Sequence, residues 1–238
     1  MNLKPRLMSC AGMVDFGAKR VVDVGTDHAY LPIYLVKNRI VKSALALDCL
    51  NGPLENAKRN IKRYGLEEQI KVRISDGLSN VSKEEADTII IAGMGSENII
   101  NIIENVQWVK SGKKALILQP MTRDYLLRKY LIENSFFTLK EKVAIDSGKV
   151  YLVLKVKYEN NHTKDSKIFN DVTKEKIYPY IGTLLLNDEI NKETKIYIEK
   201  QANKLKKILK GVNINKNITE YENLLGIINK LDILLKFY

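Results

Sequence analysis

The sequence is poor in the residues that build disulfide frameworks and metal centres. Among 238 residues there are two cysteines, Cys10 and Cys49, and two histidines, His28 and His162. These few side chains cannot supply a disulfide framework or a four-ligand zinc site. We therefore expect neither a disulfide-rich secreted domain nor a bound metal, and we interpret both cysteines as ordinary buried thiols.

Long apolar runs are missing as well. No run approaches the ~20 residues that a helix needs to cross a bilayer. The first sixteen residues form an amphipathic pattern broken by Lys4, Arg6 and Asp15, without a small-residue cleavage site. These absences predict a cytoplasmic protein with no membrane partner.

Positive charge, in contrast, is abundant. The chain has 39 Lys and Arg against 28 Asp and Glu, a formal net charge of +11. Such a surplus favours an anionic partner. By itself it indicates only electrostatic steering and non-specific association. The parts before and after Asn160 are both basic, so the charge is not confined to a tail.

Short β-branched runs alternate with longer helical patterns from Lys19 to Tyr158. This alternation is typical of an open parallel sheet built from βαβ units. The predicted strands are Arg20–Val24, Ala44–Asp48, Ile70–Ile74, Asp87–Ala92 and Lys114–Gln119, and the predicted crossover helices are Pro32–Asn38, Pro53–Tyr64, Glu97–Asn105 and Arg123–Glu133.

Two further apolar runs, Phe136–Ala144 and Val150–Tyr158, flank the turn-forming sequence Asp146-Ser147-Gly148. They predict an antiparallel hairpin that closes one edge of the sheet. The chain thus has the pattern of an α/β domain with a mostly parallel sheet.

The sequence changes from strand-rich to helical near the polar stretch Asn160–Ser166, which we interpret as a linker. This divides the chain into a domain over residues 1–160 and a helical domain over residues 161–238. Two heptad-like stripes and the turn formers of Gly211–Asn217 between them predict an antiparallel, coiled-coil-like hairpin. The stripes are Ile198, Ala202, Leu205 and Leu209, then Tyr221, Leu224, Ile228, Leu231 and Leu235.

The loop after the first strand indicates which cofactor the sheet binds, because ligands collect at the carboxyl ends of parallel strands. Gly25 keeps the first glycine of a nucleotide-binding turn, but Asp27 stands where the dinucleotide fingerprint has its second glycine. A pyrophosphate would meet that carboxylate. S-adenosylmethionine has no phosphate, and its ammonium group suits a loop carboxylate. The loop therefore favours this cofactor over NAD.

The next three loops carry compatible residues. Asp48 ends the second strand, where an acidic side chain can accept both ribose hydroxyls. Asp76 follows the third strand and could accept from an adenine amino group, while Gly77 leaves room for the ring. Gly93 and Met94 follow the fourth strand. Alternatively, Asp48 and Asp76 are helix N-caps, and His28 is a structural histidine.

Several motifs, in this order and spacing, are similar to those of the bacterial tRNA (adenine-N1)-methyltransferases that act on adenine 22. They are DVGTDHAYLP (Asp23 to Pro32), Asp48 to Ala57 with Gly52-Pro53, RISDGL (Arg73 to Leu78), IAGMG (Ile91 to Gly95) and LILQP (Leu116 to Pro120). The resemblance covers nearly the whole chain. It implies a Rossmann-like class I methyltransferase domain with a seven-stranded, mostly parallel sheet, followed by a coiled-coil-like domain that helps to grip tRNA.

The resemblance also implies positions for the cofactor. Gly25, Asp27 and His28 would line its methionine part, Asp48 its ribose, Asp76 and Gly77 its adenine, and Gly93 with Met94 the floor near the sulfonium; we add Asp23 to this cofactor-binding set. Two residues depart from the family pattern. Ser96 stands where a second glycine is usual, and Met121 stands where an asparagine usually follows Gln-Pro.

Adenine N1 carries a lone pair and no proton at neutral pH, so positioning should dominate catalysis. We hypothesise that Asp27 stabilises the positive charge arriving on the base or orients its amino group. His28 and Tyr30 would shape the pocket, and Gln119 would bond a base edge. These four residues are the predicted catalytic set.

N1 lies on the pairing edge, so the base must be unpaired before reaction, and contacts elsewhere on the RNA must offset this cost. Basic side chains on three predicted helices are candidates for such contacts, with a solvated helix surface as the simpler interpretation. They are Lys58, Arg59, Lys62 and Arg63; Arg123, Arg128 and Lys129; and Lys200, Lys204, Lys206, Lys207 and Lys210.

Three other functions compete with tRNA methylation as interpretations of the sequence. A methyltransferase of the same fold could act on another RNA, a protein or a small molecule, and a non-catalytic RNA-binding protein could retain the fold. An NAD-dependent oxidoreductase is disfavoured by Asp27. We expect a monomer whose partner is tRNA.

Overall fold

The computed structural model describes residues 2–111, 113–159, 175–186, 191–213 and 217–237. The chain divides into two compact units, residues 1–162 and 163–238. The linker predicted over Asn160–Ser166 lies outside the described residues. The boundary predicted after Asn160 therefore stays a prediction.

The described residues of the first unit form a seven-stranded sheet in the order β3-β2-β1-β4-β5-β7-β6. Neighbours among β1 to β5 pair in parallel, and β7 pairs antiparallel with both β5 and β6. The predicted seven-stranded, mostly parallel sheet is confirmed. The strands are β1 (Ala18–Val24), β2 (Val41–Asp48), β3 (Ile70–Ile74), β4 (Thr88–Met94), β5 (Ala115–Pro120), β6 (Phe136–Asp146) and β7 (Lys149–Tyr158).

Helices occupy the predicted crossovers. Pro32 and Pro53 lie in the first turns of their helices, where a missing N–H costs no intrahelical bond. An additional short helix precedes β1. The helices are α1 (Pro5–Ala11), α2 (Tyr30–Lys37), α3 (Asn51–Arg63), α4 (Ser96–Glu104) and α5 (Asp124–Glu133), with single 3₁₀ turns at Lys83–Glu85 and Gln107–Ser111.

The central strand β4 shows why the strand positions were predictable. Ile89, Ile90 and Ile91 are all fully buried, because side chains on both faces of the strand are covered. The sequence of such a strand is a continuous apolar run instead of an alternation of apolar and polar residues. The bulk of the apolar burial in this unit thus lies on the two faces of the parallel strands.

The order of the strands determines where a site can form. β1 pairs with β2 on one side and with β4 on the other, so the direction of chain progression across the sheet reverses there. At such a reversal the loops after neighbouring strands separate and leave a crevice at their carboxyl ends. The loops after β1, β2, β3 and β4 all lie at this edge.

The predicted β6–β7 hairpin is confirmed. Ser147 and Gly148 both have positive φ, 51° and 73°, as a two-residue type I′ turn requires. The returning strand β7 inserts between β5 and β6 and leaves β6 at the edge. This insertion was not part of the sequence prediction.

A buried ion pair joins α5 to β6. Arg128 Nε donates to Glu141 Oε1 at 2.9 Å, and both side chains are only 1% exposed. The prediction that Arg128 contacts an RNA phosphate is therefore wrong, because its guanidinium is turned into the fold and paired there. Helical spacing placed Arg128 among surface cations, but the apolar face of α5 includes it.

We expect Glu141→Ala to lower the free energy of unfolding by about 3–5 kcal/mol, because the change leaves a buried guanidinium without this carboxylate. The double change Arg128→Met with Glu141→Leu should cost less than the single change, since it removes both charges. Urea denaturation measures both values. A double variant as unstable as Glu141→Ala would contradict this account.

The second unit is helical in its described residues. It contains α6 (Tyr178–Ile181), a 3₁₀ turn (Gly182–Leu186), α7 (Lys192–Gly211) and α8 (Ile218–Phe237). The Asn191 side chain caps α7 by accepting from the Thr194 N–H at 2.8 Å. An ion pair of 2.8 Å between Lys206 and Asp232 links α7 to α8.

The two predicted stripes are largely buried, with Leu209, Tyr221 and Leu235 half-buried at their ends. Tyr197, Gln201 and Ile227 are buried beside them. The buried face is therefore wider than the narrow seam of a two-stranded coiled coil. Part of the predicted turn, residues 214–216, lies outside the described residues. None of the described helices is long and apolar enough to span a membrane.

Candidate active site

Two cavities open at the crevice beside β1 and meet at Gly25, which lines both. The first, of about 400 Å³, lies between the N-terminal segment with α1 and the β1–α2 loop; we call it the α1 cavity. The second, of about 650 Å³, lies between α4 and the loops after β2 and β3; we call it the α4 cavity. Predicted site residues line both: Asp23, Gly25, Asp27, His28 and Tyr30 in the α1 cavity, and Gly25, Asp48, Asp76, Gly77 and Met94 in the α4 cavity.

The backbone conformation at position 25 favours glycine. Its φ is +77°, and a Cβ at this position would lie 2.3 Å from the Cε of Met94. The N–H groups of Gly25 and Thr26 both donate to the carbonyl of Leu47, at 2.9 and 2.7 Å. These two hydrogen bonds hold the turn against β2. The end of the Met94 side chain occupies the space that a Cβ of residue 25 would take.

Asp23 is the buried carboxyl of the α1 cavity, 7% exposed. Burial raises its pKa to about 7, and the nearby charge of Asp48 acts in the same direction, whereas a hydrogen bond with the Thr26 side chain lowers it. A carboxyl in this position is close to half-protonated at neutral pH. A cation in the cavity would favour its ionised form.

The loop after β1 presents three polar or aromatic side chains at the mouth of the α1 cavity. Asp27 Oδ2 lies 3.2 Å from His28 Nε2, and the Asp27 side chain is 68% exposed. The rings of His28 and Tyr30 stack with their centroids 5.1 Å apart. Asn60 of α3 donates to the His28 carbonyl at 3.0 Å and so holds the loop in place.

The N-cap alternative for Asp48 and Asp76 is wrong. Leu50 is the N-cap of α3, and Asp48 Oδ1 instead accepts from the Leu50 N–H at 3.0 Å. Ser82 caps the 3₁₀ turn after β3 in a capping box with Glu85. Both aspartates line the α4 cavity.

Gly77 leaves space for a side chain of the protein. Its φ is +55°, and a Cβ there would lie 2.9 Å from Cγ1 of Ile102. Gly77 and Ile102 both line the α4 cavity, and the assignment of Gly77 to the adenine ring stays a prediction. Ile102 itself lines the α4 cavity and supplies an apolar wall.

Gln119 is placed differently from its prediction. It is fully buried, and its Oε1 accepts from the Gly93 N–H at 3.0 Å and from an Arg6 Nη at 2.6 Å. Its Nε2 donates to the Pro120 carbonyl at 2.7 Å. With both ends engaged inside the fold, Gln119 does not present its amide to a base edge. It positions the β4–α4 loop instead.

Arg6 is the site residue that sequence reasoning missed. It lines the α1 cavity and bonds Gln119, which is 113 positions away in the chain. Gly93, with φ +83°, allows this approach, because a Cβ at Gly93 would lie 3.3 Å from Nη1 of Arg6. The sequence offered only a charge within an amphipathic segment and no signal for this contact.

The two departures from the family motifs lie in loops that are bonded to each other. The buried Ser96 Oγ donates to the Thr122 carbonyl at 2.8 Å. The Met121 N–H donates to the Met94 carbonyl at 2.8 Å, and the Met121 side chain is exposed. The serine thus finds a partner where glycine has none. The methionine places an apolar side chain at the surface next to the β4–α4 loop.

A model of a methyltransferase domain family matches residues 3–154. The tRNA (adenine(22)-N(1))-methyltransferase of Bacillus subtilis is 39% identical over 154 residues, which span 65% of this chain and 64% of that protein. A crystal structure from Streptococcus pneumoniae, described as a putative tRNA (m1A22) methyltransferase, is 31% identical with a TM-score of 0.80, over 98% of this chain and all of that one.

This chain belongs to the tRNA (adenine(22)-N(1))-methyltransferase family. The match to the Bacillus protein covers less than two thirds of that relative's length. The structure of Mycoplasma capricolum TrmK, solved with S-adenosylhomocysteine, is 28% identical with a TM-score of 0.77, over 98% of each chain. The family resemblance predicted from the motifs is confirmed.

The described part of the chain holds no group of three or more His, Cys, Asp and Glu side chains that could bind a metal ion. The two cysteines have different environments. Cys10 is buried, and burial raises its pKa to about 12. Cys49 is exposed and lines the α4 cavity, so its prediction as a buried thiol is wrong.

We expect iodoacetamide to alkylate Cys49 and to spare Cys10 in the folded protein at pH 8. Only a thiolate reacts, and Cys10 is both inaccessible and protonated at this pH. Peptide mass spectrometry measures the two sites separately, with Cys49→Ser as the control that should take up no label. Comparable alkylation of Cys10 without denaturant would contradict the assigned burial.

Proposed function

We propose that this protein transfers the methyl group of S-adenosylmethionine to N1 of adenine 22 in tRNA. The observation that carries the proposal is the pair of cavities joined at Gly25, with carboxylates in both. Relatives support it, since the Bacillus protein bears this name and a Streptococcus pneumoniae relative has been crystallised with S-adenosyl-L-methionine. We place the reaction in the cytoplasm as part of the proposal, and the monomeric state stays a prediction.

The residues of the two cavities fit this cofactor. Asp23 and Asp27 in the α1 cavity suit the ammonium of its methionine group, and Asp48 in the α4 cavity suits the ribose hydroxyls. No Lys or Arg is among the described residues that line the α4 cavity. A diphosphate there would lie among carboxylates without a cation to balance it, which supports a sulfonium cofactor over a dinucleotide.

The bound cofactor supplies an electrophilic methyl group, and the protein supplies position and charge. Adenine N1 needs no base to expose its lone pair, so holding the base against the crevice is the main requirement. We assign this to the stacked rings of His28 and Tyr30 at the cavity mouth. The exposed carboxylate of Asp27 stabilises the positive charge that the base acquires. Gln119 acts indirectly by holding Gly93.

The target base must leave its stacked or paired position, and contacts to the RNA backbone offset that cost. Exposed basic side chains support such contacts on α3, where Lys58, Arg59, Lys62 and Arg63 lie. In the second unit, α7 exposes Lys207 and Lys210. We assign residues 161–238 to tRNA contact on this basis.

Incubating an unmodified tRNA transcript with the protein and S-adenosylmethionine tests the proposal. A methyl group on N1 blocks base pairing, so reverse transcription should stop at position 22, and a transcript with guanine at position 22 should show no stop there. Methylation at another position, or binding of the cofactor without methylation of any tRNA, would contradict the proposed substrate.

Asp23 makes cofactor binding dependent on pH. Its pKa of about 7 in the free protein means that the carboxyl is mostly neutral at pH 6 and mostly ionised at pH 8. A ligand ammonium favours the ionised form, so the Kd for S-adenosylhomocysteine should be about tenfold higher at pH 6 than at pH 8. Calorimetry measures this difference.

The control for this pH dependence is Asp23→Asn, which cannot titrate and should bind with a Kd that changes little over the same range.

The raised pKa of Asp23 also makes the free energy of unfolding depend on pH. Because the folded-state pKa lies above its ordinary value of 3.8, Asp23 destabilises the fold progressively as the pH rises from about 4 to 7. A wild-type Kd that is constant between pH 6 and pH 8 would contradict this role of Asp23.

A further inference from the structure

Arg6 has unused hydrogen-bonding capacity inside the α1 cavity. A guanidinium has five N–H donors, and one Nη of Arg6 donates to Gln119 while its face lies 5.8 Å from the centroid of the Tyr151 ring. Among the described residues, no carboxylate lies within ion-pair distance of Arg6. The half-buried cation therefore faces the cavity with donors to spare.

The guanidinium is also held in one place before any ligand arrives. Its bond to Gln119 Oε1 is short, and that oxygen is itself fixed by the Gly93 N–H. Gly93 has no side chain to displace it, and Tyr151 of β7 borders the other side. A cation held in this way loses little conformational freedom when it binds an anion.

The acidic and basic residues that line the α1 cavity come from different elements of the fold. Asp23 and Asp27 come from β1 and the loop that follows it, whereas Arg6 comes from α1. An α-amino acid group carries an ammonium and a carboxylate on one carbon, so it matches a site with acidic residues on one wall and a cation on the other. Lys4 also lines this cavity but is exposed, whereas Arg6 is half-buried and bonded to Gln119. Arg6 is therefore the better-positioned cation for the carboxylate of such a ligand.

We propose that Arg6 binds the carboxylate of the methionine group of the cofactor and thereby selects ligands with an intact amino-acid end. This inference rests on the proposed function. Charge-assisted bonds from a guanidinium to a carboxylate are among the stronger hydrogen bonds in proteins. Arg6 thus acts from the opposite wall to Asp23, and the two residues together recognise a zwitterion.

The test compares two ligands that differ only in the amino-acid end. S-adenosylhomocysteine has it, and 5′-methylthioadenosine has the adenosine and the thioether but no amino acid. Calorimetry should show that Arg6→Ala and Arg6→Gln raise the Kd for S-adenosylhomocysteine by roughly 10- to 100-fold. Both variants should leave the Kd for methylthioadenosine within twofold of wild type. Arg6→Gln keeps an amide donor for Gln119, so it separates the charge from the structural bond.

The controls use the same two ligands. Arg6→Lys retains the charge and should recover part of the affinity for S-adenosylhomocysteine. Lys42→Ala removes an exposed cation near the amino end of β2, at the opposite edge of the sheet, and should change neither Kd. Thermal melting establishes that each variant is folded before its titration is interpreted.

Two outcomes would overturn the proposal. An equal loss of affinity for both ligands would make Arg6 a structural residue that acts through Gln119. An unchanged Kd for S-adenosylhomocysteine, with a raised KM for tRNA, would assign Arg6 to an RNA phosphate. Failure of the wild-type protein to bind S-adenosylhomocysteine would instead reject the proposed function itself, so the two failures are distinguishable.

Discussion

The parallel pairing of β1 with β2 on one side and with β4 on the other is the constraint on which the site depends. It brings the loops after β1, β2, β3 and β4 to one edge of the sheet and opens a crevice between them. Gly25 lies at the centre of that crevice, bonded to Leu47 of β2 and covered by Met94 of β4. A side chain at Gly25 would be strained by the positive φ of this residue and would displace the end of the Met94 side chain.

Electrostatics then determine which ligand suits the crevice. Asp48 and Asp76 line one cavity. Asp23 is buried in the other, and because burial disfavours its ionised form, its pKa is raised to about 7. Burial of this kind persists where a cation compensates it. The guanidinium of Arg6 lines the same cavity from α1 but forms no ion pair with Asp23. We propose that the site suits a neutral-to-cationic nucleoside with a zwitterionic end.

The fold was largely predictable because its signals are local. Buried parallel strands appear as short apolar runs, and the hairpin turn needs the residues found at Ser147 and Gly148. Positions in the crevice were predictable for the same reason, since a residue that ends a strand, such as Asp48, must lie at the carboxyl edge of the sheet. The side-chain partners were not predictable. Gln119 meets Arg6 from 113 positions away, and Arg128 turns inward to Glu141, because such pairings depend on packing between elements that are distant in sequence.

We propose that the two cavities at Gly25 hold the two halves of one S-adenosyl ligand. A crystal structure of the protein with S-adenosylhomocysteine tests it most directly. We expect the ligand to lie over Gly25 and to extend into both cavities, with its amino-acid end between Asp23 and Arg6 and its ribose against Asp48. A ligand with its amino-acid end in the α4 cavity, or a crevice that stays empty at saturating ligand concentration, would contradict it.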